Sequence, residues 1–167
     1  MPQLWIEREL ETLLGLVRLL DERLVNLSEK SVEVDDADAY GYFDTMEHVV
    51  GLAMVVCQTY IAAVCGAVAL DKKIAMKIGA AHSGGMAKIE IINHAANYWK
   101  HNNEWAGERS DRRRKAIEAA FDTVGFPVGT DYPLSGVLTE LSDPKAASLQ
   151  VLSVILSAWK ITILSEK

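Results

Sequence analysis

One uncharged stretch, residues 49–70, constrains the fold of this chain more than any other feature. Its 22 residues are enough to cross a bilayer as a helix, since about 20 apolar residues span the hydrocarbon core. The stretch is rich in Gly and Ala and contains Gln58, and small residues allow close helix packing in a bundle centre as well as in lipid. We therefore predict a helix over residues 43–70, buried on all sides in a bundle. A single membrane span is the alternative.

The remaining periodicity predicts further helices and no strand. In residues 3–29 the apolar positions recur every three or four residues, at Leu10, Leu13, Leu14, Val17, Leu20, Leu24 and Leu27. Residues 31–41 are acidic and turn-prone, which favours a loop. We predict one all-α domain over residues 1–167, a bundle of five to six helices.

Helix start and stop signals place the other elements. Asp71 is a candidate cap for a short helix over residues 72–80, and a longer helix covers residues 86–106. Ser110 is the candidate cap of a helix that ends before Gly125, where the backbone turns left-handed. A short helix over residues 134–141 follows, and the pair Asp143-Pro144 signals the start of the last helix.

The charge is unevenly distributed along the chain. Residues 1–71 carry 4 basic and 13 acidic side chains, whereas residues 72–115 carry 10 basic and 4 acidic ones. The formal net charge of the whole chain is -6, which argues against nucleic-acid binding over the whole surface. A local basic surface in the middle segment is the better indication of a partner.

The cysteines and the N-terminus favour a cytoplasmic protein. Cys57 and Cys65 are eight residues apart on the predicted helix, about 12 Å along its axis, which exceeds disulfide reach. Two free thiols are typical of a reducing compartment. The N-terminal residues contain acids and lack the basic segment of a signal peptide.

The helix over residues 86–106 has an unusual polar stripe. At 100° per residue, its predicted core face consists of Ile89, Ile92, Ala96 and Trp99. The opposite arc consists of Glu90, Asn93, His94, Asn97, His101 and Glu104. Asn and His are weak helix formers, so an exposed face rich in them indicates a functional site. The alternative is an ordinary solvated face.

The basic segment after this helix extends the candidate site. Residues 108–115 read ERSDRRRK, and Arg112, Arg113 and Arg114 fall in the first turn of the next helix. Guanidinium groups beside exposed helix N–H groups suit phosphate. With Tyr98 and Trp105 nearby in sequence, the combination is typical of single-stranded RNA binding. The alternative is a solvated run of charge.

The sequence gives weaker support for a metal site. His94 and His101 lie about 10.5 Å apart along a helix axis, too far to grip one ion. Glu90 and His94 have metal-ligand spacing, and a second helix offers Asp44, Glu47 or His48. The Glu-x-x-His pairs of carboxylate-bridged bundles are missing, so we predict no metal and no cofactor, and a metal-dependent bundle enzyme stays an alternative.

The run Asn97-Tyr98-Trp99-Lys100-His101 resembles the motif of the higher eukaryotes and prokaryotes nucleotide-binding (HEPN) domain. Members are helical bundles, often dimers, and many are metal-independent ribonucleases of bacterial toxin and defence systems. Their motif is an Arg, a short spacer and a His, often with Asn directly after the Arg. Here Asn97 and His101 match the Asn and the His, and Ala96 stands at the Arg position.

The resemblance implies roles for the two matched residues: His101 would transfer a proton or contact phosphate, and Asn97 would orient it or the substrate. From the polar stripe and the basic segment we predict the substrate-binding residues, namely Lys100, Tyr98, Trp105, Arg112, Arg113, Arg114, His94 and Glu104. The implied partners are RNA or another nucleotide and a second copy of the chain. Because Ala96 replaces the Arg, an inactive relative is equally expected, and the alternative is a non-catalytic interaction module, namely an immunity, antitoxin or scaffold bundle.

Overall fold

A computed structural model describes residues 2–105, 111–142 and 147–165, and this part of the chain folds as an all-α bundle. It contains seven α-helices: α1 Pro2–Ser31, α2 Tyr42–Ala67, α3 Lys72–Ala75, α4 Lys88–His101, α5 Arg112–Thr123, α6 Pro133–Leu141 and α7 Gln150–Ser165. A 3-10 helix, Asn102–Trp105, follows α4. The predicted all-α fold is confirmed, with seven helices instead of five to six.

Helix α2 is the centre of the bundle. It packs against α1 along its length and also contacts α4, α6 and α7. It is long and apolar enough to cross a membrane, and 61% of its most apolar window is buried by the rest of the bundle. The prediction that α2 is buried on all sides is nevertheless wrong, because Leu52, Thr59, Ala62 and Gly66 face outward.

Local backbone chemistry sets the helix ends. Helix α2 stops at Ala67, three residues before the predicted end, and Ala69 adopts a left-handed conformation at φ 51°. Asp71 caps α3 as predicted, accepting from the backbone N–H of Lys73 at 2.8 Å. Gly125, at φ +81°, supplies the predicted left-handed stop after α5.

Two predicted start signals fall on or beside residues outside the described ranges. Ser110 lies outside them, and the side chain that caps α5 is Asp111, whose Oδ1 accepts from the backbone N–H of Arg114 at 2.8 Å. The pair Asp143-Pro144 also lies outside, and α7 begins at Gln150.

Carboxylates of the first two helices fasten the C-terminal third. Glu47 on α2 accepts from the backbone N–H groups of Leu134 and Ser135 at 2.6 and 2.9 Å, where α6 begins. On α1, Asp21 accepts from the backbone N–H of Leu149 at 2.6 Å, just before α7. Carboxylates are favourable at helix N-termini because they meet free N–H groups and the positive end of the dipole. Two of the 13 acidic side chains of residues 1–71 therefore stabilise the ends of later helices.

Gly51 allows α4 to approach α2 closely. A Cβ atom built on Gly51 would lie 1.8 Å from Cδ1 of the Trp99 indole. Trp99 belongs to the predicted core face of α4, and it is half-buried over this glycine. A side chain at position 51 would therefore push α4 away from α2.

We predict that Gly51→Ala lowers the free energy of unfolding by about 1–3 kcal/mol, the usual cost of overpacking a core. Gly15→Ala is the matched control, because it lies inside α1 with nothing within 4 Å of its built Cβ. That variant should gain about 0.5–1 kcal/mol from its better helix propensity. Urea unfolding of both variants measures the difference. Equal stability of the two would contradict the close contact between Gly51 and Trp99.

Candidate functional site

Two residues of the polar stripe of α4, Asn93 and Asn97, contact α2. Asn93 is only 5% exposed, so the expectation that it lies opposite the core is wrong. Its Oδ1 accepts from Nε2 of Gln58 on α2 at 2.9 Å, and Oδ1 of Asn97 accepts from the same nitrogen at 3.0 Å. Ala96 is fully buried, as predicted. Part of the Asn signal in α4 therefore arises from a buried amide contact between two helices.

The Gln58 amide also contacts a cation, the Lys100 ammonium. Oε1 of Gln58 accepts from Nζ of Lys100 at 2.6 Å, so one amide joins Asn93 and Asn97 to the Lys100 ammonium. Burial lowers the pKa of Lys100, and the nearby Arg113 charge lowers it further. Gln58 thus belongs to the site, although we predicted no role for it from the sequence. Its signal was a lone amide within the uncharged residues 49–70.

His101 lies between a carboxylate and a guanidinium, where α4, the 3-10 helix and α5 meet. Its Nδ1 lies 2.9 Å from Oε2 of Glu104, and its Nε2 lies 2.7 Å from Nη2 of Arg113. A guanidinium only donates, so Nε2 must accept and the proton resides on Nδ1, which donates to Glu104. The imidazole is about a quarter exposed. Three predicted site residues are therefore brought together by hydrogen bonds.

Arg113 brings a guanidinium to His101, whereas the Arg position of the HEPN motif is occupied by Ala96. Position 96 is a buried alanine on α4, but α5 brings a guanidinium to the histidine from 12 residues further along the chain. We call Glu104, His101 and Arg113 the His101 triad. Its geometry can orient an imidazole, polarise it, and place a cation beside it for an anionic substrate.

The predicted base-stacking residues pack inside the protein. The Tyr98 ring lies 5.6 Å from Trp105 and 4.9 Å from Phe121. The Arg114 guanidinium covers the Trp105 ring at 5.0 Å and pairs with Glu118 at 2.8 Å. These contacts join α4 to α5, and they do not bring Tyr98, Trp105 or Arg114 to the His101 triad. Arg112, the first residue of α5, is exposed.

His94 differs from His101 in its hydrogen bonding. It is half-buried, and its Nδ1 has no hydrogen-bond partner among the described residues. Burial lowers the pKa of His94, and the Glu90 carboxylate offsets part of this effect. The neutral imidazole is therefore the form that the fold prefers at this position.

The residues of the metal alternative do not converge. Within the described ranges no group of three or more His, Cys, Asp or Glu side chains is placed to hold a metal ion. Glu47 is engaged at the start of α6, and the His48 ring packs edge-on against Trp99 with centroids 6.4 Å apart. Cys57 and Cys65 are free and buried as predicted, and burial raises the pKa of both thiols.

The chain matches no family model, and neither a curated protein nor a solved structure is similar to it. The HEPN resemblance therefore stays a prediction that depends on Asn97 and His101.

We predict that His94 makes the stability of the fold sensitive to acid. Its folded-state pKa lies below the ordinary value of 6.5, so the unfolded chain binds the proton more readily. The contribution of neutral His94 to the free energy of unfolding is complete above about pH 6.5, the ordinary pKa of histidine. It is lost as the pH falls from there through the lower folded-state pKa. Urea unfolding of the wild type and His94→Gln should show a stability difference that changes between pH 7.5 and 5. A difference that is constant with pH would refute this role.

Proposed function

We propose that this protein binds RNA or another nucleotide and acts on its phosphodiester without a metal, with His101 transferring the proton. The observation that carries the proposal is the His101 triad, in which Glu104 orients the imidazole and Arg113 contacts its other nitrogen. A histidine between a carboxylate and a guanidinium combines a proton-transfer group with a phosphate-binding group.

Arg113 has a second acceptor once a substrate arrives. In the free protein its guanidinium donates to Nε2 of His101 at 2.7 Å. A phosphate binds a guanidinium more strongly than a neutral imidazole does, because the contact is charge-assisted and bidentate. A bound phosphodiester therefore draws Arg113 away and frees the lone pair on Nε2. Substrate binding itself would activate the base.

The proton and bond changes then balance as in other metal-independent cleavages of RNA. Nε2 of His101 takes the proton of the ribose 2′-hydroxyl, whose oxygen forms a bond to the adjacent phosphorus. The bond from phosphorus to the 5′-oxygen breaks, that oxygen takes a proton from water, and the hydroxide left behind removes the proton from the His101 imidazolium. Glu104 stabilises the imidazolium, and Arg113 stabilises the charge on the phosphoryl oxygens. The products are a cyclic phosphate and a 5′-hydroxyl end.

We predict that the wild type cleaves a labelled single-stranded RNA in excess EDTA, and that His101→Ala lowers the rate by about 100-fold or more, the usual contribution of general acid–base catalysis. Arg113→Ala should also lower it. Lys115→Ala is the matched control, because Lys115 is exposed on the same helix but about 200° around it. Gel resolution of the products follows the reaction.

The result separates the proposal from its rival. Cleavage that survives EDTA and disappears in His101→Ala supports a ribonuclease. A wild type that leaves the RNA intact refutes it, and the non-catalytic interaction module then becomes the better description. Equal loss in Lys115→Ala and Arg113→Ala would also count against a specific role for Arg113.

We also propose a homodimer through the outward face of α2. The exposed residues there, Leu52, Thr59, Ala62 and Gly66, are uncharged, and Trp5 of α1 borders Ala62 and Gly66. A two-fold interface brings a surface against its own copy, and small side chains let two copies of α2 approach closely.

We predict that the wild type has twice the chain mass of 18.4 kDa in light scattering, and that Leu52→Glu reduces it to the mass of one chain. The substitution would bury a charge in each half of the interface. Ile161→Glu is the control, since Ile161 is exposed on α7. A wild type that is monomeric at all protein concentrations would rule the dimer out.

A further inference from the structure

A groove borders Lys100 and is lined by α2, α3 and α4. It has a volume of about 630 Å³, within the range of small-ligand sites. Residues from all three helices contribute polar side chains to it, namely Gln58, Lys72, Lys73, Asn93, Asn97 and Lys100. Lys100 lines this groove and directly precedes His101 in α4.

Among the described residues that line the groove, three lysines outnumber one acid, Asp71. Lys72 is half-buried, and in the described part of the chain no carboxylate forms an ion pair with Lys72, Lys73 or Lys100. Burial and the charge of Lys100 lower the pKa of Lys72. Asp71 also lines the groove, but one of its oxygens caps α3. An anion would relieve the repulsion between the ammonium groups.

The amides of the groove offer further donors. Both Asn93 and Asn97 use their side-chain oxygens to accept from Gln58. Their Nδ2 groups are consequently turned to donate, and neither donates within the described residues. Asn93 is 5% exposed and lines the groove, so an unpartnered donor of a buried side chain is available there. Ammonium and amide donors together suit a ligand that carries several acceptor oxygens and negative charge.

We propose that the groove is a second phosphate subsite, in which Lys72, Lys100, Asn93 and Asn97 bind the phosphate adjacent to the one that reacts at His101. The proposal deepens the proposed function, because it assigns the substrate class as a strand with at least two phosphates. Nζ of Lys100 is held by Oε1 of Gln58 at 2.6 Å, one residue before His101 in the chain. Binding at this subsite positions the strand and takes no part in proton transfer.

The test uses a fluorescent single-stranded RNA with 2′-O-methyl riboses, which cannot be cleaved because the attacking hydroxyl is blocked. Fluorescence anisotropy should show that Lys72→Ala weakens binding about tenfold and lowers the slope of log affinity against log salt by about 0.7, the value for one lost phosphate contact. Lys72→Arg should restore most of the affinity. Lys77→Ala is the control, because Lys77 is an exposed lysine close to α3 that does not line the groove.

Cleavage kinetics on unmodified RNA distinguish the two proposals. For the subsite we expect Lys72→Ala to raise KM with kcat unchanged, and His101→Ala to leave probe affinity within about twofold while removing kcat. Equal affinities and salt slopes for Lys72→Ala and Lys77→Ala would overturn the subsite, even if His101 proves catalytic. A Lys72-dependent probe affinity in a protein that does not cleave RNA would support the subsite and overturn the proton-transfer role of His101. A wild type that does not bind the probe would overturn the subsite.

Discussion

The contact between α2 and α4 is the interaction on which the rest of the structure depends. At one position Gly51 admits the Trp99 indole, and further along α2 the Gln58 amide joins Asn93 and Asn97. The apolar contact sets the distance between the helices, and the amide contact sets their register, because a buried amide must find its partners. The same contact ends on Lys100, so the packing of the core also positions the cation of the candidate site.

Contacts of the acidic side chains within the fold explain part of the uneven charge of the chain. Acidic side chains of the first two helices, such as Glu47 and Asp21, bind the N-terminal ends of later helices. Glu7 likewise pairs with Lys160 on α7 at 2.7 Å. These carboxylates stabilise the contacts between helices. The cations of α3 and α4, above all Lys72 and Lys100, form no such ion pairs within the described ranges, which leaves a basic region on a chain that is acidic overall.

The fold also divides the predicted site residues into two groups by their surroundings. Tyr98, Trp105 and Arg114 form an aromatic and cationic cluster that joins α4 to α5. His101 instead meets Arg113, one position earlier on α5. Neighbouring arginines thus have different roles because successive helical residues point about 100° apart. The guanidinium that covers an aromatic ring stabilises the junction, and the next one reaches the imidazole.

The all-α class, the central helix and the left-handed stop at Gly125 were predictable from sequence, because they depend on local periodicity and backbone preference. The wheel of α4 also predicted the burial of Ala96, although it misplaced Asn93. On a helical wheel the core face is chosen as the apolar side, so a polar residue such as Asn93 is assigned to solvent. The burial of Asn93 depends on its contact with Gln58 on α2, which the sequence of α4 does not show. The approach of Arg113 to His101 and the groove around Lys72 were likewise decided by tertiary structure. They depend on how separate helices cross, which residue spacing within one helix does not determine.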